Sequence, residues 1–278
     1  MKLSEAIESC FQTRQSWNSG SGAGTVRINI NHALRILGDI SVYEIKTKHF
    51  KIITTQLLEE KYSASVINQV TGALRTLLCE LRDCGDELIV VPSFKRQTIK
   101  NSRPDFYSET EIQMLLNASA ELDDYHLLHD SILFAYKTGC RQAEMLTLTD
   151  ESIDWENEQI TFFDTKNGED HIIHLHSDLI AVLERRNHYR VDGRLFPWDG
   201  CRHGVDSLRR EFKSLRDRLG IADKKLWHTI RHTTGTHLVS RGAQLRVIMG
   251  VLNHKNVKST LRYAKAADTS KKEALELL

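Results

Sequence analysis

The chain of 278 residues carries 38 Lys+Arg against 37 Asp+Glu, a formal net charge of +1, with 40% hydrophobic and 27% charged side chains. Such a length suits two modest domains, and the composition is that of an ordinary globular protein able to bury real cores, which excludes a disordered chain, a collagen-like repeat or a small disulfide scaffold. No apolar run reaches the ~18 residues of a membrane span, and the start, Met1 to Cys10, lacks the layout of a secretory leader, so a cytoplasmic protein with no membrane partner is expected. The cysteines (Cys10, Cys79, Cys84, Cys140, Cys201) are odd in number and contain no C-x-x-C pair, so neither a disulfide framework nor a thiolate metal site is indicated.

Apolar residues first recur at helical spacing through Leu3, Ala6, Ile7, Cys10 and Phe11. The flexible stretch Gly20 to Gly24 follows; no Lys-Ser/Thr comes after it, as a phosphate loop requires. Helices are expected over residues 25–37 and 47–60. A longer stripe runs through Val66, Ile67, Val70, Leu74, Leu77, Leu78 and Leu81. These helices predict a small all-helical domain over 1–91, and Pro92 and Pro104 bracket a basic, aperiodic linker, 92–104. Beyond it, Ser108-x-x-Glu111 is a capping box, a helix over about 125–138 stops at Gly139, and another starts near Arg141. The period then changes to two. Ile160 to Thr165 and Asp170 to Leu175 flank Lys166-Asn167-Gly168, a hairpin signal that places Lys166 at or beside the tip. Helices resume at Ser177, near Val205 and at His228. The fold class expected is mainly α with one small antiparallel β-sheet.

The near-zero net charge conceals a polarised chain. Residues 1–100 sum to +3, residues 101–200 to −12 and residues 201–278 to +10. A basic end of this kind fits a polyanion partner, and its reactive side chains fit the same partner. Trp227-His-Thr-Ile-Arg-His-Thr-Thr-Gly-Thr-His-Leu238 puts His228 and Arg231 on one side of a helix near its N-terminus. His254 and Tyr263 follow, while Arg141 and Lys166 lie upstream. Singly, each has a plain role: Arg141 paired with Glu144, His228 a cap, Lys166 a turn residue, Tyr263 a core aromatic. As a set they are what metal-free phosphoryl transfer needs, namely forked donors for nonbridging oxygens, an acid, a base and an oxygen nucleophile.

The order Arg, Lys, His-x-x-Arg, His, Tyr, set in Thr-Gly-x-Arg-x-x-Glu, a hairpin lysine, His-x-x-Arg-His-x-x-x-x-His-Leu and Leu-x-His, resembles the tyrosine recombinase (phage integrase) family over nearly the whole chain. The resemblance implies a helical core-binding domain (1–91), a catalytic domain (105–263) and a tail (264–278) that docks on a neighbouring protomer. It implies a site-specific DNA recombinase that cleaves and rejoins strands through a 3′-phosphotyrosyl intermediate. Tyr263 would be the nucleophile, Arg141 and Arg231 would hold the nonbridging oxygens, and Lys166 would protonate the leaving 5′-oxygen. His228 would serve base catalysis, His254 would bond the phosphate, and Glu144 would support Arg141 or cap its helix. No metal, cofactor or ATP is implied. The partners are double-stranded recombination sites and a tetramer of the chain on DNA, its free state left open, in a bacterial cytoplasm. DNA-binding residues beyond the active site cannot be named. The first helix, within residues 1–16, leaves no room for an arm-site domain, which suits a compact integrase or a Xer-type resolvase.

Two departures stand out. Asn253 sits where the family has Gly, a position that calls for a left-handed residue, and His171 and His174 replace the usual basic residue and proline after the lysine. Competing readings are a type IB topoisomerase with the same chemistry, a noncatalytic DNA-binding protein of this fold, and a metal hydrolase on His171, His174 and His176 or on His228 and His232, whose spacing lacks a matching carboxylate.

Overall fold

The computed structural model describes residues 1–19, 22–99, 105–122, 126–163, 165, 168–198 and 204–264. The chain divides into two compact units, Met1–Asn101 and Ser102–Leu278. No described helix is long and apolar enough to cross a membrane.

In the first unit, α1 (Leu3–Thr13), the short α2 (Gln15–Asn18), α3 (Ala23–Leu37), α4 (Thr47–Glu59) and α5 (Ala64–Asp83) surround one core. Each helix contributes one apolar face. Leu3, Ile7 and Phe11 of α1 meet Ile30 of α3, Phe50, Ile53 and Leu57 of α4, and the α5 stripe from Ile67 to Leu81. The Ser63 hydroxyl caps α5 by accepting the Val66 N–H. Within the segment expected to join the domains, Phe94 stacks on Phe50 with ring centroids 4.5 Å apart. The Gln97 N–H and carbonyl both bond the Asn68 side chain, at 2.8 Å each. These contacts fasten residues 92–99 to the first unit.

The second unit opens with α6 (Glu109–Ala120), closed by the reciprocal Ser108 and Glu111 bonds of a capping box. Next come α7 (Leu127–Thr138) and α8 (Gln142–Leu146). Strands β1 (Ile153–Asp154), β2 (Gln159–Phe162) and β3 (His171–His174) form an antiparallel sheet in sequence order, with Gln159 opposite His174 and Phe162 opposite His171. α9 (Ser177–His188), α10 (Val205–Arg218), α11 (Trp227–Ser240), α12 (Leu245–Val251) and α13 (Val257–Ala264) complete it. Ile160 and Phe162 point inward from β2 and join Phe134, Phe196, Leu208, Phe212 and Trp227 in the main core. The two-residue β1 and the helices α12 and α13 were not expected from the sequence.

Two local features aim the site. α7 ends at Gly139 in the left-handed region (φ 63°), and a Cβ there would stand 2.5 Å from Leu252 Cδ2, so only glycine allows both the cap and the close approach of the α12 end. Asn253 also adopts a positive φ, 46°, the left-handed conformation its replacement of glycine called for.

Candidate active site

α11 carries the centre of the site. His228 lies in its first turn, while Arg231, His232 and Gly235 continue the same face three, four and seven residues on. Arg231 is 5% exposed, and its guanidinium donates to the Gly139 carbonyl (2.7 Å) and to the Leu252 carbonyl, tying it to the ends of α7 and α12. Arg141 is the N-cap of α8. Its backbone N–H reaches Glu144 Oε2 (2.8 Å) and its guanidinium Oε1 (2.5 Å), so Glu144 both caps the helix and orients the arginine.

Tyr263, on α13, is 1% exposed and packs with Ile248 and Leu252. Its ring crosses α11 at Gly235, where a Cβ would lie 2.8 to 3.0 Å from three ring atoms. The His254 imidazole lies near-parallel to the same ring, 6.2 Å away and 11° from coplanar. His254 Nδ1 shares a 2.9 Å hydrogen bond with the buried Thr260 hydroxyl. The Tyr263 hydroxyl shares a 2.8 Å hydrogen bond with His232 Nδ1. Sequence reasoning weighed His232 only as a metal ligand; its bond to a tyrosine 31 positions later leaves no signal in spacing.

Lys166 lies outside the described residues. Its neighbour Thr165 is buried, and the Thr165 hydroxyl donates to the Glu169 carbonyl (2.7 Å) and receives the Asn253 side-chain amide (3.2 Å). Two further contacts join the same edges: His171 Nε2 donates to the Val251 carbonyl (3.2 Å), and Lys255 pairs with Glu169 (3.0 Å). Both departures from the family pattern, Asn253 and His171, thus lie on one seam between the hairpin and the turn bearing His254. His174 and His176 face solvent, and among the described residues no three His, Cys, Asp or Glu side chains are grouped to hold a metal ion.

The electrostatics of the pocket favour an anion. Burial, followed by the charges of His228, Arg262, Arg231 and His254, brings His232 down to about 4. Burial and Arg231, Arg141 and Arg262 bring His254 to about 4 as well. His228 is lowered by desolvation and then by Arg231, Arg141, Arg262 and Arg209, while burial raises Tyr263 against the opposing charges of Arg231 and Arg262. At neutral pH the positive charge therefore resides on arginines, whose charge survives burial, beside neutral imidazoles. Forked donors around a buried hydroxyl are an arrangement suited to phosphoryl transfer.

Residues 105–270 match the phage integrase family model. The tyrosine recombinase XerA of Pyrococcus horikoshii is 25% identical over 80% of this chain and 76% of its own length. Among solved structures, the Tn1549 transposon integrase in complex with a circular intermediate DNA superposes with a TM-score of 0.80 at 18% identity, covering 100% of both chains. A lambda integrase tetramer bound to a Holliday junction gives 0.74 at 15% identity, over 92% of this chain and 78% of that one. At such identities the two structures show a shared fold.

Proposed function

The chain belongs to the phage integrase family and is a tyrosine-type site-specific DNA recombinase, and from that premise we propose that Tyr263 is its nucleophile. The observation that carries this reading is the Tyr263 hydroxyl bonded to α11, the helix bearing His228 and Arg231, within one unit of one chain. In this reading each protomer cleaves with its own tyrosine. Attack on a DNA phosphodiester forms a 3′-phosphotyrosyl link and frees a 5′-hydroxyl.

Arg141 and Arg231 neutralise the nonbridging oxygens of the pentacoordinate transition state. His254 donates to the phosphate, His228 serves base catalysis, and Lys166 protonates the departing 5′-oxygen. The phosphotyrosine conserves the energy of the broken bond, so a second 5′-hydroxyl reseals the strand without ATP, and the arginines supply the charge that a metal would otherwise provide. The partner is duplex DNA in a bacterial cytoplasm, and the +10 C-terminal region supplies salt-sensitive contacts to phosphate. Recombination takes place in a tetramer on DNA, with residues 264–278 docking on the neighbouring protomer; most of that tail lies outside the described residues.

The test begins with a randomised pool of nicked duplexes, from which the sequences trapped covalently by the wild-type chain are read. Tyr263→Phe is expected to form no adduct on the selected duplex while still binding it. An adduct that survives this substitution would overturn the assignment.

A further inference from the structure

A tyrosine hydroxyl must lose its proton as it attacks, and burial holds the Tyr263 proton more tightly than usual. The group that meets this hydroxyl is His232, whose Nδ1 lies 2.8 Å from it, within the reach required of a proton acceptor. The contact is built from three sides. Gly235 lets the tyrosine ring lie against α11 one turn beyond His232. The His254 ring covers the tyrosine face, and the His228 ring stands edge-on to His232 with centroids 4.7 Å apart.

Resting on the assignment of Tyr263 as nucleophile, we infer that His232 is a further catalytic residue and that the tyrosine proton goes to it rather than to the neighbouring His228: its Nδ1 accepts the Tyr263 hydroxyl hydrogen bond at rest and takes the proton as the phenolic oxygen bonds to phosphorus. The step balances without any redox partner. The O–H bond of Tyr263 breaks and an N–H bond forms on His232, the O–P bond forms as the P–O5′ bond breaks, and the 5′-oxygen takes a proton from the acid on its own side. Resealing reverses the path, and His232 returns the proton to the tyrosine.

The groups facing His232 explain how a weakly basic imidazole can do this. They are His228 and Arg231 on its own helix, Arg262 and Tyr263 on α13, and His254 in the turn before it. Burial first, and then the charges of Arg262 and Arg231, keep the ring neutral and able to accept a hydrogen bond while the site is empty. A bound phosphodiester brings a negative charge against those arginines and relieves the same repulsion, so the base strengthens when the substrate is in place.

The experiment uses the full chain and the nicked duplex selected by wild type, reading adduct formation in a single turnover from pH 6 to 10. His232→Gln keeps a hydrogen-bond acceptor near the hydroxyl but cannot hold its proton. The expected result is a loss of roughly 10²-fold or more at neutral pH, shrinking steadily as the pH rises and the phenol ionises unaided, with duplex affinity retained. A glutamine variant that matches wild type at neutral pH, or one whose deficit is the same at every pH, would overturn the proposal. Should His232→Gln fail to fold by thermal melting, His232→Asn gives the same readout. A wild-type chain that forms no adduct at all would instead overturn the assignment of Tyr263.

Discussion

Two helices of this molecule seat themselves in their cores by opposite means. α5 in the first unit buries Ile67, Val70, Ala73, Leu74, Leu77, Leu78 and Leu81, with Thr71 the polar exception and its hydroxyl returned to the Ile67 carbonyl. α11 in the second unit buries Thr229, Arg231, Thr233, Thr234, Thr236 and His237 beside only two large apolar side chains, Trp227 and Ile230. Its polar groups are partnered: the Thr234 hydroxyl donates to the Tyr136 carbonyl, Thr233 receives the Tyr107 N–H, and His237 shares a bond with the Tyr136 hydroxyl. α5 is stabilised by area removed from water, whereas α11 needs a complete set of hydrogen bonds merely to offset the burial of its own side chains. A helix that accepts this cost holds its side chains for chemistry.

The sharpest way to break the contrast is to remove the charge from α11. Arg231→Ala is expected to lower adduct formation on the nicked duplex by about 10³-fold, and Arg231→Lys to restore little of it, because a lysine cannot reach two carbonyls and a phosphate with one fork. Leu74→Ala on α5 is expected to cost about 2 to 5 kcal/mol by denaturant titration, with the folded fraction cleaving at the wild-type rate.

The glycines of the two helices give a matched pair. Gly235→Ala forces the Tyr263 ring away from α11, and a displacement near 1 Å is expected to slow cleavage by up to about 10²-fold while leaving duplex binding intact. Gly72 on α5 has open space where a Cβ would stand. Gly72→Ala is therefore expected to stabilise the first unit by up to about 1 kcal/mol, seen as a raised melting temperature, without changing cleavage.

Acid separates the two units more gently. His232 and His254 fall to about 4 in the folded chain, below the ordinary histidine value near 6.5. The unfolded chain binds more protons between those values, so the stability they contribute is complete above about pH 6.5 and is lost as the pH falls toward 4. Screening reduces the effect for part-exposed rings. The expected outcome on lowering the pH through this window is a falling melting temperature for the second unit, weakened in a His232→Gln, His254→Gln double variant.

The same contrast explains what was legible in the sequence. The α5 stripe announces itself because one apolar face at helical spacing suffices to define it, and the hairpin shows in Asn167-Gly168 between alternating runs, although the strands are shorter than the runs. α11 was readable through the chemistry of its residues. α12 and α13 were missed because they are short, seven and eight residues, about two turns each, too few for a helical period to repeat. His232 and Asn253 gain their meaning from contacts with Tyr263, 31 residues away, and Thr165, 88 residues away, which no local pattern encodes.

Tyr263 belongs to a small apolar cluster in the second unit, formed with Ile248 and Leu252 apart from the main core. Tyr263, the proposed nucleophile, is thus also packing material for α12 and α13. In the proposed cleavage, moving its hydroxyl toward a phosphorus atom withdraws the largest side chain of that cluster, so engagement with DNA is coupled to local opening. In hydrogen-exchange terms, the amides of α12 and α13 are expected to exchange ahead of those of α7 and α11 in the free chain. Trapping the phosphotyrosine should change their protection more than that of any helix in the first unit.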